Sequence, residues 1–371
     1  MSDNKTKKEE KTEKKQDEKQ SEIATRLHRH ELPMGALGLG LHTREDNLAY
    51  VACMDGVFEL DAESGDSTRL YQHDSYATNV VYVSETNQLV SAGYDGALQW
   101  FDLESRRVVR HIQAHSFWSW DMAKAKDAPT IVTVSGQYLP GSYDYRPKPS
   151  SEPCVRVFDA RNGDLLHDFE HLPPVQAAAI SDDGQRIGVG NLMGDVGVWD
   201  LKSGKKVECN TPDFTGFGII KSHCQIGGIY AASFADANRL IVAGMGPMRD
   251  PMAGIGKQRW QCFVVSGDAA NKVSASKDAQ AGEGLMETLA MHPDGRHFAM
   301  AGRLRGGSWN VGLFDLETTD LVHSFKTDTR VTNAKFSGDG KRLLLAGADK
   351  QHKKAEKAFG AVDVYKITLP S

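Results

Sequence analysis

The chain has 371 residues, of which 40% are hydrophobic and 25% are charged, and its formal net charge is −5. This composition is that of a globular chain, and because it contains no run of 18 or more apolar residues, it excludes a membrane-spanning helix. The negative charge argues against a general nucleic-acid binder, and the polar first twenty residues argue against a secretory signal, so we expect a cytoplasmic protein.

Residues 1–22 form the first segment, with seven lysines, seven acidic residues and no apolar residue after Met1. A segment with nothing to bury cannot offset the entropy of ordering its backbone, so we predict a disordered charged tail. The folded domain is then expected over residues 23–371. Its five cysteines are widely spread without a C-x-x-C pair, which predicts neither disulfides nor a zinc site.

From residue 23 onward, short runs of alternating polar and apolar residues are separated by clusters of Gly, Asp, Asn and Ser. These are strand and hairpin signals, and they predict an all-β domain. One pattern recurs seven times: a short apolar run that ends in an aromatic residue or leucine and is usually followed by Asp. Its copies are centred on Phe58–Asp61, Trp100–Leu103, Val157–Ala160, Val198–Leu201, Gln261–Val264, Leu313–Leu316 and Val364–Ile367. Two tight turns in each repeat indicate four strands per unit.

The repeats resemble those of the WD-repeat family of β-propellers over residues 24–368. The resemblance is carried by Trp199-Asp200 and its variants Phe101-Asp102, Phe158-Asp159 and Phe314-Asp315, by the turns Asp55-Gly56 and Asp95-Gly96, and by His73, His115 and His171. It implies a seven-bladed β-propeller and, inside each blade, a hydrogen-bonded set of His, a hydroxyl, Asp and Trp. Blade two has His73, Ser91 and Asp95 but Phe101 in place of Trp, and blade four has no hydroxyl, so the chain is a divergent member.

The ends of the chain are predicted to close the ring. Residues Thr25–His30 closely match Thr68–His73, which belong to the outer part of another repeat. We therefore predict that residues 24–31 form the outer strand of the last blade, whose other strands come from about 331 to 367. Such closure removes a free sheet edge.

No catalytic signature is present: the sequence lacks a G-x-S-x-G elbow, a phosphate-binding loop, an H-E-x-x-H motif and a metal-spaced Cys or His set. We therefore expect neither an enzyme nor a cofactor. The alternative is a propeller hydrolase or lactonase with a metal or substrate at the central channel, for which Asp121, Asn79 and Asn333 are the candidate ligands.

Insertions identify the candidate binding face. The long segments are predicted between the second and third strands of four blades and in one link between blades: 135–153, 244–257, 302–309, 347–360 and 210–222. Because these two kinds of connection open on the same side of a propeller, all of them decorate one face. Loops that a rigid scaffold positions are common binding sites, so we predict a protein-interaction scaffold.

Composition selects residues on that face. Aromatic residues provide anchors, although Trp118 and Trp120 have the alternative of packing between blades, and the basic segments of blades five to seven favour an acidic or phosphorylated peptide or protein. A nucleic acid is the weaker alternative. The candidate partner-binding residues are Trp118, Trp120, Tyr138, Tyr143, Tyr145, Arg146, Arg249, Arg303, Arg305, Trp309, Lys353 and Lys354.

Overall fold

The computed structural model describes residues 23–138, 148–214, 228–246, 258–280, 284–304, 307–348 and 360–370. These residues form seven antiparallel sheets of four strands each. The innermost strands of all seven sheets line one central channel, so the sheets are the blades of a ring. The predicted seven-bladed β-propeller is confirmed.

The strands follow chain order, and each blade from one to six uses four consecutive strands, from the channel outward. The strands are β1 (Ala24–Leu32), β2 (Ala36–Leu41), β3 (Leu48–Cys53), β4 (Gly56–Asp61), β5 (Ser67–Tyr71), β6 (Ala77–Val83), β7 (Gln88–Gly93), β8 (Ala97–Asp102), β9 (Arg107–Gln113), β10 (Asp121–Lys124), β11 (Thr130–Val134), β12 (Val155–Asp159), β13 (Leu165–Phe169), β14 (Val175–Ile180), β15 (Arg186–Asn191), β16 (Val196–Asp200), β17 (Lys206–Cys209), β18 (Gly228–Phe234), β19 (Arg239–Met245), β20 (Gln258–Ser266), β21 (Ala269–Ala275), β22 (Gly284–Met291), β23 (His297–Leu304), β24 (Val311–Asp315), β25 (Leu321–Phe325), β26 (Arg330–Phe336), β27 (Arg342–Ala348) and β28 (Gly360–Ile367).

Two short 3₁₀ helices, Pro212–Phe214 and Asp278–Gln280, complete the described elements. Neither of them, nor any other helix within the described ranges, has the length and apolar character needed to cross a bilayer.

The hydrophobic core lies between neighbouring blades. The two middle strands of a blade are buried on both faces, as in β7 and β8, whereas the outer strand β9 is exposed at six of its seven residues. Between blades one and seven, Phe58 and Leu60 pack against Leu344 and Val362. Each blade therefore depends on its neighbours for burial, which explains why apolar residues occur without strict alternation in the middle strands.

The ring closes as predicted from the sequence. Strand β1 pairs antiparallel with β28, from Ala24 opposite Ile367 to Leu32 opposite Gly360, and it is the outer strand of blade seven. One guanidinium nitrogen of Arg29 donates to both carboxylate oxygens of Asp363, at 3.3 and 3.1 Å. The side chain of Leu32 is completely buried. Backbone pairing, an ion pair and apolar burial thus fasten the first strand to the last.

The Asp residues at the ends of the repeats stabilise turns. Each accepts hydrogen bonds from backbone N–H groups two or three residues further along: Asp61 from Glu63 and Ser64, and Asp315 from Glu317 and Thr318. Asp102, Asp159 and Asp200 make the same kind of bond. The recurrence of Asp therefore reflects turn geometry rather than catalysis.

The pair Arg296–Asp315 leads to a prediction for stability at low pH. The hydrogen bonds from Arg296, the shorter at 2.6 Å, lower the pKa of Asp315 from 3.8 to about 2. Because the folded-state pKa is depressed, this stabilisation is present above about pH 4 and is lost as the pH falls toward 2. Since Arg296 is 39% exposed, we expect D315N to lower the free energy of unfolding by only about 1 kcal/mol at pH 6.

Urea unfolding of the wild type and D315N at pH 6 and pH 3 measures this difference. It should shrink as the pH falls. A difference between the two proteins that is the same at both pH values would contradict the assignment.

Three members of the hydrogen-bonded set implied by the family resemblance, the His, the hydroxyl and the Asp, are joined in blade two. His73 contacts Asp95 through Nδ1 at 2.9 Å and Ser91 Oγ through Nε2 at 2.8 Å. The hydroxyl of Tyr71 donates to Ser91 Oγ at 2.9 Å, and the ring of Tyr71 stacks on Phe101. Burial raises the pKa of Asp95, but His73 and the backbone N–H groups of Ala97 and Asp74 together outweigh it and leave the pKa below its usual value. Tyr71 and Phe101 together thus fill the place of the family's Trp.

Blade four uses a different arrangement. Asn191 donates through Nδ2 to Asp195 Oδ2 at 2.9 Å and to the carbonyl of Leu172 at 3.0 Å, while the ring of His171 packs edge-on against Trp199. The amide of Asn191 therefore bridges this turn. Val189 pairs with Ala178 as Ser91 pairs with Val80 in blade two, so an apolar residue stands in blade four where blade two has its hydroxyl.

Candidate functional site

The strands place the long segments at one end of the blades. Four of them join the second strand to the third in blades three, five, six and seven, as predicted, between the paired residues Val134 and Val155, Met245 and Gln258, Ala301 and Val311, and Ala348 and Gly360. The fifth joins β17 of blade four to β18 of blade five. In an antiparallel four-stranded blade, both kinds of connection leave from the end at which the inner strand begins.

Neighbouring inner strands begin at the same end of the channel. Thr78, near the start of β6, donates through its hydroxyl to the carbonyl of Ser119 at 3.1 Å, just before β10 begins. Thr332, near the start of β26, donates in the same way to the carbonyl of Ala36 at 2.7 Å, where β2 begins. The strand ends from which the long segments leave therefore share one face of the ring, which we call the loop face.

Much of what was predicted for this face lies outside the described residues. Seven candidates are in that position: Tyr143, Tyr145, Arg146, Arg249, Arg305, Lys353 and Lys354. Of the remaining five, Tyr138 is partly buried next to such a stretch, and Arg303 is exposed near the end of β23. Two of the described candidates, Trp118 and Trp120, lie in contact with each other.

Five aromatic side chains lie together on the loop face at blades two and three: Tyr76, Tyr94, Phe117, Trp118 and Trp120. We call them the aromatic patch. The rings of Phe117, Trp118 and Tyr94 are stacked in succession, with centroids 5.1 and 4.6 Å apart. Trp120 meets Trp118 and Tyr94 edge-on, and Tyr76 adjoins Tyr94 at 5.9 Å. Rings held by one another in this way form a rigid surface.

The two tryptophans have different environments. The side chain of Trp118 is 42% exposed, so packing against Tyr94 and Phe117 leaves a large part of its surface open to solvent. Trp120 is half-buried; its indole Nε1 donates to the carbonyl of Gly136 at 3.0 Å, and its ring packs against the core between blades three and four. Trp118 therefore points outward and Trp120 supports it.

Trp309 has no comparable exposure. Only 6% of its surface is open, and its ring packs edge-on against Phe314 in the core between blades five and six. The sequence pattern placed it on a long segment, but apolar burial takes its side chain inward. We therefore do not include it in the proposed surface.

The aromatic patch adjoins the mouth of the central channel. Tyr94 and Trp120 line the channel, whose volume is about 480 Å³, together with Tyr230, Glu287 and Arg330. Arg330 and Glu287 form an ion pair across blades seven and six, with a shortest distance of 2.6 Å. Burial raises the pKa of Glu287 above its usual value, although Arg330 acts in the opposite direction. The mouth of the channel thus combines aromatic rings with one fixed ion pair.

The residues considered for a channel metal also lie in the channel. The amide nitrogen of Asn79 donates to Asp121 Oδ1 at 3.0 Å, and the backbone N–H groups of Met122 and Ala178 donate to the same carboxylate. Burial raises the pKa of Asp121 to about 6. Within the described ranges, no three His, Cys, Asp or Glu side chains are grouped as metal ligands. The known contacts of Asp121 are thus structural hydrogen bonds.

A second groove lies on the loop face between blades three and four. It is acidic, whereas the sequence predicted a basic surface for the partner site. Its volume is about 310 Å³, and Glu152, Glu170, Asp195 and Glu208 line it, with Lys206 as the described cationic side chain. The predicted basic surface depends mainly on residues that the structure does not describe.

The partner-binding residues predicted from the sequence do not include Tyr76, Tyr94 and Phe117 of the aromatic patch, or the ion pair. Tyr76 and Tyr94 each occupy a link at the end of a strand, where Gly, Asn, Asp or Ser is typical, and this could have identified them. Phe117 precedes Trp118 directly. No pattern within a single repeat predicts the pairing of Glu287 with Arg330, because these residues belong to two different blades.

The architecture and the site thus define a seven-bladed β-propeller with an aromatic surface at one mouth of its channel. No family model matches the chain. Stretches of it are similar to three curated proteins: 25% identical over 145 residues to protein groucho of Drosophila melanogaster, 24% over 131 to the U5 small nuclear ribonucleoprotein 40 kDa protein of Dictyostelium discoideum, and 28% over 158 to the ribosome biogenesis protein YTM1 of Coprinopsis cinerea.

These matches cover 33%, 35% and 40% of this chain and 20%, 33% and 33% of the relatives, so the chain spans a third or less of the length of the proteins it matches. The structure is a ring of seven four-stranded blades. A divergent member of the WD-repeat family, which the repeats resemble, fits both this architecture and these similarities.

Proposed function

We propose that this protein is a non-catalytic scaffold that binds another protein through the aromatic patch. The observation that carries the proposal is the stacked, partly exposed cluster around Trp118 at the mouth of the channel. The similarity to WD-repeat proteins supports an interaction role. A cytoplasmic location and the absence of a nucleic-acid partner stay predictions from the sequence.

Binding energy at a protein interface is concentrated in a few rigid side chains, with Trp and Tyr prominent among them. Trp118 stacks with both Tyr94 and Phe117, so its side chain is already restrained before a partner arrives. Tyr76, which is 43% exposed, extends the surface outward. The patch therefore offers apolar contact area at a low cost in conformational entropy.

A hydrolase or lactonase with a metal at the channel is the second candidate function. The observation that favours an enzyme is the position of the Asp121 carboxylate, which lies in the channel beside Asn79. Metal analysis of the purified full chain tests it: stoichiometric calcium or zinc would support the enzyme, and protein free of both metals would support the scaffold.

The W118A variant tests the scaffold. Partners captured from a native extract by the full chain are identified by quantitative mass spectrometry, and the affinity of the main partner is then measured with purified components. We expect W118A to weaken that affinity at least about 30-fold, since a central aromatic contact of this kind contributes 2 kcal/mol or more. Its thermal unfolding should stay close to that of the wild type, because Trp118 is an exposed residue.

The matched control is V109A, which trims a side chain that is 53% exposed on the outer strand β9, away from the patch. V109A should bind like the wild type. If W118A and Y76A both capture the same partners with unchanged affinity, the aromatic patch is not the binding site.

A further inference from the structure

The ion pair at the mouth of the channel has an unusual geometry. Arg330 Nε lies 2.8 Å from each carboxylate oxygen of Glu287, and Arg330 Nη2 lies 2.6 Å from Oε2. The carboxylate thus occupies the side edge of the guanidinium, which Nε and Nη2 form. Within the described ranges Nη1 makes no hydrogen bond or ion pair, so the end of the guanidinium formed by Nη1 and Nη2 is open.

Arg330 lines the channel at the mouth that the aromatic patch adjoins. The Arg330 side chain is 50% exposed, whereas Glu287 is only 11% exposed. Glu287 therefore lies beneath Arg330 and holds it in place. The charge of Arg330 acts on the Tyr94 hydroxyl, and Tyr94 in turn stacks on Trp118.

A further arginine affects Glu287 electrostatically. The carboxylate is paired with Arg330, and the charge of Arg303, which is exposed near the end of β23, also acts to lower the pKa of Glu287. The end of Arg330 that Glu287 leaves open can donate to another anion, and a planar carboxylate matches the fork of an arginine bidentately.

We propose that the partner bound by the aromatic patch is a peptide segment in which an Asp or Glu side chain follows an apolar anchor, and that Arg330 binds this carboxylate through Nη1 and Nη2. The anchor contacts Trp118, and Glu287 is the positioning residue that keeps the arginine fork directed into the channel mouth. The inference rests on the proposed function, since it specifies the ligand of the same surface.

The experiment selects random twelve-residue peptides, displayed with a blocked C-terminus, on the immobilised full chain. We expect the selected peptides to be enriched in an acidic residue close to an aromatic residue or proline. The strongest peptide is then synthesised with Glu or Asp at the selected position and with the corresponding amide, Gln or Asn. The acid should bind the wild type about tenfold more tightly than the amide, as expected for one charge-assisted, bidentate contact.

Three variants test whether Arg330, held by Glu287, causes the preference for the acid. In R330Q the tenfold ratio should fall to about one, and R330K, which keeps the charge but not the fork, should retain only part of it. E287Q should reduce the ratio several-fold, because the arginine is no longer held side-on. K341Q, which changes an exposed cation in a turn on the opposite face, is the matched control and should keep the full ratio.

Circular dichroism and thermal unfolding accompany every variant, and R330K together with E287Q keeps the test decisive if R330Q does not fold. Peptides without acidic enrichment, or an acid preference that persists in R330K, R330Q and E287Q alike, would overturn the inference. If the selected peptides bind W118A as well as the wild type, the proposed function itself fails. If W118A loses binding but the acid-to-amide affinity ratio is unchanged in the Arg330 variants, only the present inference fails.

Discussion

Removal of residues 1–32 is expected to prevent formation of a soluble, cooperatively unfolding ring. The deletion strips β1 from β28 and exposes an unpaired strand edge, and it leaves Asp363, which is 1% exposed, without Arg29. It also removes the fully buried Leu32 from the core between blades seven and one. A lost strand, an uncompensated buried carboxylate and a core defect together should lower the melting temperature by more than about 10 °C, or cause aggregation.

Thermal unfolding and size-exclusion chromatography measure the outcome. The matched control is deletion of residues 1–22, which keeps β1 intact and should melt like the full chain. The point variant R29Q should fall between them, because it breaks only the ion pair. A fully soluble protein without residues 1–32 that melts within a few degrees of the wild type would show that β1 does not stabilise the ring.

The second large effect is expected from W100A. Trp100 is fully buried between blades two and three, where it packs with Leu98, Ile131 and Phe158, and its indole Nε1 donates to the carbonyl of Ala160 at 2.6 Å. Truncation leaves a large cavity and an unpaired carbonyl. We expect the free energy of unfolding to fall by about 3–5 kcal/mol.

Urea unfolding gives this difference, and W100F separates its two causes. Phenylalanine fills most of the space but cannot donate to Ala160, so W100F should lose roughly 1–2 kcal/mol, the cost of an unsatisfied buried acceptor. Equal stabilities for W100A and the wild type would contradict the role assigned to this side chain, and equal losses in W100A and W100F would mean that the hydrogen bond outweighs the packing.

The fold could be predicted from the sequence because each repeat contains the same local signals. The Asp at each repeat end stabilises a turn by accepting hydrogen bonds from nearby backbone N–H groups, as Asp61 and Asp315 show. The length of the repeat can therefore be recognised without knowledge of any distant contact. The ring closure could also be predicted, since residues 25–30 match the sequence of the outer strand at 68–73. The bridging role of Asn191 in blade four was not predictable from a fixed motif, because its partners Leu172 and Asp195 come from two different links.

The candidate site was only partly predictable. Trp118 could be selected because it is a large aromatic residue in a link, but neither its stacking on Tyr94 nor the burial of Trp309 follows from position alone. The pair formed by Glu287 and Arg330 depends on two strands of different blades meeting at the channel mouth. Such contacts are set by how blades pack, and a pattern within one repeat does not contain that information.

The joining of the first strand to the last has a consequence for biosynthesis. Arg29 is added to the nascent chain 334 residues before its partner Asp363, which at about 5–20 residues per second is a delay of roughly 20 to 70 seconds. Throughout translation the N-terminal strand is therefore a lone β-segment while six blades assemble behind it. Chaperone binding to the nascent chain should accordingly concentrate on residues 23–32. The pairing of this strand with β28 is the step that closes the ring.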